Sequence, residues 1–201
     1  MKQGRTSNRA PRRSTILRSP RFVFALLILL LLAGIDLGAQ PPKASESEIE
    51  AVYVFKFSQF ITWPGKAQAR PSFDICVLGD DPFAPYLDRT IRGETVDGKT
   101  VMDRHIARPQ DAQGCSILYI SRSEAFHLRQ ILIDTREWPV LTVSDIDNFV
   151  NQGGMIQFVL QSGRVRFEVN LAPATQAGLA LSSELLKVAV DVKGANAQES
   201  H

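Results

Sequence analysis

Short apolar runs closed by turn signals alternate with helix-patterned segments along residues 73–191, and this alternation limits the fold more than any single motif does. "FDICVLGD" (73–80) ends at a Gly-Asp turn, as a buried strand should. "DPFAPYLDRTI" then reads as a helix that Asp81 caps, with Pro82 in the first helical position, where a missing N–H removes no helical bond. "KTVMDRHI" (99–106) and "CSILYIS" (115–121) give a second and a third strand. "SEAFHLRQILIDTRE" (123–137) reads as a helix with Phe126, Ile131 and Leu132 toward the sheet, and "PVLTVSD" (139–145) as a fourth strand. In "MIQFVLQSGRVRFEVN", Ser162-Gly163 offers a two-residue hairpin turn. There Val165, Phe167 and Val169 alternate with Arg164, Arg166, Glu168 and Asn170, which gives the arm one buried and one wet face. "SSELLKVAVD" (182–191) closes with a helix. The expected architecture is a three-layer α/β fold: a mostly parallel, Rossmann-like sheet with helices on both faces and an antiparallel hairpin near one edge.

An amphipathic helix precedes the first strand. "SESEIEAVYVFKFSQFITWPG" (45–65) opens with two overlapping capping boxes, Ser45 to Glu48 and Ser47 to Glu50. Glu46, Glu48 and Glu50 read as a solvated helix start near the positive end of the dipole. Ile49, Val52, Tyr53, Phe57, Phe60 and Ile61 follow at helical spacing until Pro64-Gly65 stops the run. The aromatic face is expected to be core, and the competing reading is a surface for a peptide or a membrane.

The first 39 residues stand apart. Seven basic residues, a run "FVFALLILLLLAG" too short to span a bilayer comfortably, and a small-residue exit near Ala39 describe a secretory signal peptide. An uncleaved anchor is the alternative. Removing this leader reverses the charge argument. The whole chain carries 23 basic and 21 acidic residues, net +2, whereas residues 40–201 keep 16 and 20. A nucleic-acid or anionic-surface reading therefore loses its footing. Residues 45–192 are expected to form one domain, between disordered stretches at 40–44 and 193–201.

Chemistry-bearing motifs are absent or incomplete. Asp80-Asp81 ends the first strand with the acidic pair of a phosphorelay receiver's pocket, yet the third strand ends in Ser121-Arg122, with no acceptor aspartate. His105, His127 and His201 share no metal-ligand spacing, and no nucleophile elbow or glycine-rich nucleotide loop occurs. No catalytic group, metal site or cofactor site is expected. The two cysteines lie in the first strand and at the start of the third, which are commonly neighbours in a doubly wound sheet. An even count in an exported chain favours a Cys76–Cys115 bridge, and the alternative is a pair of buried thiols.

Taken in order, "FITWPG", "ICVLGDDPF", "GCSILYISRSE", "VLTVSDIDNFVNQGGMIQF" and "VRFEVNLAPATQAGLALSSELLKVA" resemble the YfiR-like family of bacterial periplasmic proteins over residues 47–190. The resemblance implies a non-catalytic α/β domain that binds the periplasmic part of an inner-membrane diguanylate cyclase or related sensor and represses it. An outer-membrane lipoprotein is a further implied partner, and a homodimer stays open. The family's best-understood member has a second bridge near the stretch matching 150–157, where this chain has Val150 and Gln157. The resemblance also makes the hairpin a partner surface, with Arg164, Arg166 and Glu168 on one strand, Ile156 and Phe158 on the opposing one, and "LAPATQ" after it. The competing reading is a solvated face whose charges protect a sheet edge. At the level of function the alternative is a periplasmic small-molecule sensor or carrier.

Overall fold

The computed structural model describes residues 44–194; the expected leader, residues 40–43 and the tail from 195 onward lie outside the described residues. Helix α1 (Glu46–Phe57) leads through β1 (Ile61–Thr62) and α2 (Gly65–Gln68) to β2 (Phe73–Leu78). Next come α3 (Tyr86–Ile91), β3 (Thr95–Val96), β4 (Lys99–Ile106), a 3-10 helix (Pro109–Gly114) and β5 (Ile117–Ile120). A 3-10 turn (Arg122–Glu124), α4 (Leu128–Thr135), β6 (Leu141–Ser144) and a second 3-10 turn (Val150–Gln152) follow. The hairpin β7 (Ile156–Gln161) and β8 (Arg164–Asn170) is followed by α5 (Leu171–Gln176), β9 (Ala180–Leu181), α6 (Ser183–Val188) and β10 (Asp191–Lys193).

Eight strands form one sheet in the order β10-β8-β7-β6-β5-β2-β4-β3, and β1 pairs with β9 in a separate two-stranded ribbon. Strands β4, β2, β5, β6 and β7 run parallel, while β8 turns back against β7. The expected α/β fold, mostly parallel with a hairpin near one edge, is the observed one. Ser162 and Gly163 both have positive φ, 52° and 68°, as a two-residue turn between twisted strands requires.

Strand alternation sorts the apolar residues into two cores. Ile75, Val77, Ile117, Tyr119, Leu141, Val143, Ile156 and Phe158 face α1 and α3. Cys76, Leu78, Leu118 and Ile120 face α4, which returns Leu128, Ile131 and Leu132. Phe57 sits between the rings of Phe158 and Phe167 at centroid distances of 5.9 and 5.2 Å, and burying such a ring stabilises by about 1.5–3 kcal/mol. Trp63 is also buried, packs edge-on against Phe73 and donates Nε1–H to the Ser116 carbonyl at 3.1 Å. Within "FITWPG", Ile61 and Trp63 are core, whereas Phe60 is 38% exposed.

Several local readings need correction. The helix expected from Asp81 begins only at Tyr86, because a residue before proline avoids helical backbone and Ala84 precedes Pro85. Asp81 instead caps a turn, its carboxylate accepting from Phe83 N–H at 2.7 Å. The helix expected from Ser123 begins at Leu128, since Ser121 caps a 3-10 turn first, and Phe126 is fully exposed rather than facing the sheet. α1 starts as read, with the Ser45 hydroxyl accepting from Glu48 N–H at 3.2 Å, but stops at Phe57.

Cys76, in β2, and Cys115, between the 3-10 helix and β5, form a disulfide with their Cα atoms 6.0 Å apart and are both fully buried. Val150 and Gln157 meet through a hydrogen bond: Val150 N–H donates to Gln157 Oε1 at 3.2 Å, out of water.

Candidate functional site

The hairpin divides its expected surface residues between two faces. Arg164 and Arg166 are exposed and Glu168 is half-buried, on the face opposite α1. Ile156 and Phe158 are 0% and 3% exposed and point toward α1, because they pair in register with Val169 and Phe167. The cross-strand partners of the charges are Gln161, Val159 and Gln157 instead. The structure thus keeps the charged trio together and removes the two apolar residues from its surface. Nor is β8 a full edge strand. β10 pairs with Glu168 through Asn170, so among the described residues only its first half, from Arg164, leaves backbone groups open.

A second surface lies beside α1. Ile49, Val52, Tyr53 and Phe60 line a groove of about 800 Å³ whose far wall is Leu185 and Val188 of α6. Val52 and Val188 are 40% and 55% exposed. This stripe carries most of the residues expected from helical spacing to be core. α1 has a second apolar stripe, Ala51, Val54, Phe55 and Phe57, and that one is buried. Helical spacing singled out only the first of these stripes, because periodicity groups residues on a face without saying which face is covered.

The third feature is a polar crevice of about 400 Å³ where α1 crosses the C-terminal ends of β5 and β6. Tyr119 donates its phenol to Asp145 Oδ1 at 2.9 Å. Arg122 donates Nε–H to Asp145 Oδ2 at 2.7 Å and Nη2–H to the Asp145 carbonyl at 2.8 Å. Burial pushes the phenol far up, helped by the charges of Asp145 and Glu50, so Tyr119 stays a neutral donor. Facing this triad across the crevice is Glu50. Its carboxyl is pushed up to about 7, first by burial, then by Asp145 and Glu46, with Arg122 pulling the other way. Reading Glu50 as part of a solvated helix start was therefore wrong. The signal was its spacing to Val54 and Phe57, i+4 and i+7 along the buried stripe. Such a site can exchange a proton near neutral pH. Among the described residues, no group of three or more His, Cys, Asp or Glu side chains is placed to hold a metal ion.

Comparison with known proteins adds the kinship. Among curated proteins none matches the chain. A conserved domain protein from Vibrio cholerae is similar in structure at TM-score 0.51 and 11% identity, over 75% of this chain and 61% of that one. The ABC domain in complex with L-Trp from Streptococcus pneumonia aligns at TM-score 0.47 and 12% identity, over 71% of this chain and 61% of that one. The chain thus spans less than two thirds of either solved structure, and the Vibrio cholerae match, at 11% identity, speaks to fold alone. The model of the YfiR/HmsC-like family matches residues 47–190, which takes in all but the first residue of α1 and every strand from β1 to β9. The chain belongs to the YfiR/HmsC-like family.

Proposed function

We propose that this protein is a non-catalytic periplasmic regulator of cyclic di-GMP signalling, which binds the periplasmic part of an inner-membrane diguanylate cyclase or related sensor and holds it inactive. The observation that carries this reading is membership of the YfiR/HmsC-like family across residues 47–190. Two surfaces support it: the apolar groove beside α1 and the charged face of the hairpin. A domain acting through binding alone must favour the inactive receptor, because equal affinity for both states shifts nothing. A fiftyfold preference corresponds to about 2.3 kcal/mol, within the usual range of coupling energies.

The test is genetic and biochemical. Deleting the protein should raise cyclic di-GMP and biofilm formation, and tagged protein should retain a membrane cyclase or sensor from detergent-solubilised envelope. Unchanged cyclic di-GMP in the deletion strain refutes the proposal. Reversing the charges at Arg164, Arg166 and Glu168 together, or placing aspartate at Val52 and Val188, then identifies which surface engages the partner.

The groove favours one second reading, a small-molecule sensor, since about 800 Å³ of apolar space matches ligand pockets. A ligand that raises the melting temperature of the wild type but not of the Val52→Asp/Val188→Asp variant would establish it.

A further inference from the structure

Among the described residues, the crevice under the first turns of α1 leaves two carboxylates without a partner, Glu46, which is exposed, and Glu50, which is half-buried. Asp145 is engaged on both carboxylate oxygens by Tyr119 and Arg122, and Arg122 reaches Asp147 at 3.6 Å as well. The positive charge at this end of the sheet is therefore already taken. Among the described residues Glu50 makes no hydrogen bond or ion pair, yet it sits on the buried stripe of α1 with Val54 and Phe57. The groups that face it are Glu46 from its own helix, Tyr119 from β5, Arg122 from the following turn, and Asp145 and Asp147 from the loop after β6. β7 contributes Gln157, which is uncharged. Ionising Glu50 places a fourth carboxylate, with Glu46, Asp145 and Asp147, around one arginine in a crevice that water only partly reaches.

We infer that the seat of α1 on the sheet is a proton-operated latch, in which neutral Glu50 lets the first turns of the helix close on the Tyr119–Asp145–Arg122 triad and ionised Glu50 pushes them off. Those same turns carry Ile49, Val52 and Tyr53, one wall of the apolar groove, so the latch sets whether that wall is in place. The inference rests on the packing of α1 and holds whatever binds the groove.

The direction follows from linkage. Glu50 ionises at about 7 with the helix seated and near its ordinary 4.5 with the helix released. Release then grows easier by up to about tenfold for each pH unit between those two values and levels off above the higher one. Solvent at the mouth of the crevice screens part of this, so about tenfold in all is expected from about pH 5 to about pH 8.

The experiment is amide hydrogen exchange on the purified protein across that range. Exchange in residues 46–53 is corrected for intrinsic rates and referred to β5. The wild type should lose about tenfold of its relative protection in α1 as pH rises. Glu50→Gln, neutral and nearly isosteric, should abolish the change, and Glu48→Gln, on the groove side, should keep it. Direct carboxyl-carbon NMR of the wild type should show Glu50 ionising near neutral pH, which tests the latch even if a variant folds poorly. Equal pH responses in the wild type and Glu50→Gln overturn the inference, and so does an ordinary ionisation of Glu50.

Discussion

Breaking the Cys76–Cys115 bridge is the perturbation whose size the structure fixes best. The bridge spans 39 residues of sequence. In the chain-entropy model, closing a loop of that length stabilises by about 4 kcal/mol at room temperature, acting on the unfolded chain. The folded chain should change little, because the same backbone is held by other means. Ser116 N–H donates to the Asp74 carbonyl at 2.8 Å, and Arg70 donates to the carbonyls of Gln113 (2.9 Å) and Cys115. Both sulfurs are out of water, so reductant acts when the chain opens. Against a typical total of 5–15 kcal/mol, a loss of about 4 moves the urea midpoint far. The assay is urea unfolding followed by circular dichroism, with and without reductant. The reduced protein should fold to the same spectrum, unfold at lower urea and show a larger m-value as its denatured state expands. A shift of less than about 1 kcal/mol with both thiols titrated would refute the reasoning, since the denatured chain would then already hold β2 beside β5.

Two further substitutions have definite signs, and a triple charge reversal should be nearly neutral. Phe57→Ala empties the space between Phe158 and Phe167 and should destabilise by about 3–5 kcal/mol in the same unfolding assay. Gly154→Ala would put a Cβ 2.1 Å from the Phe149 ring, which is itself fully buried, and should lose about 1–3 kcal/mol. Reversing charge at Arg164, Arg166 and Glu168 should change stability by no more than about 0.5 kcal/mol per residue, so a large drop in melting temperature would show that these side chains support the fold.

The strands were legible because each apolar run ends at a turn residue and has few polar interruptions. "KTVMDRHI" is β4 to the residue, and Ser162-Gly163 fixes the hairpin register. Helix starts were less legible. Pro85 and Ser121 each divert the chain before a helix can form, and neither effect appears in apolar spacing. β9, β10 and α5 were missed because strands of two or three residues and a six-residue helix are defined by their neighbours rather than by a pattern of their own. The hairpin was placed correctly, yet its surface was assembled wrongly. Pairing Phe158 with Phe167 puts both on the α1 side, so an apolar residue opposite a charged strand need not share the charges' face.

What remains is why one helix should border both the groove and the acidic crevice. α1 is anchored unevenly. Val54, Phe55 and Phe57, in its last turn, are buried, and beyond them Trp63 is tied to the sheet through its hydrogen bond to Ser116. Its first two turns bury Ala51 fully, rest Ile49 and Tyr53 partly on the core, with the Tyr53 ring 5.7 Å from Phe167 and 6.2 Å from Phe158, and add the Ser45 cap and a long contact, 3.9 Å, from Arg89 to Glu48. An exposed pair of that kind contributes little, and one cap contributes about 1 kcal/mol. Release of the first turns takes less than global unfolding, because it gives up the Tyr53 ring contacts but leaves Phe57 between Phe158 and Phe167. Glu50 stands where the loosely held and the firmly held parts meet. A charge there biases a local equilibrium without threatening the fold, and anything that fills the groove biases the same equilibrium from the other side. Proton and groove occupant are thus coupled through one element with two positions, and the coupling must be reciprocal: an occupant that prefers the seated helix raises the proton affinity of Glu50.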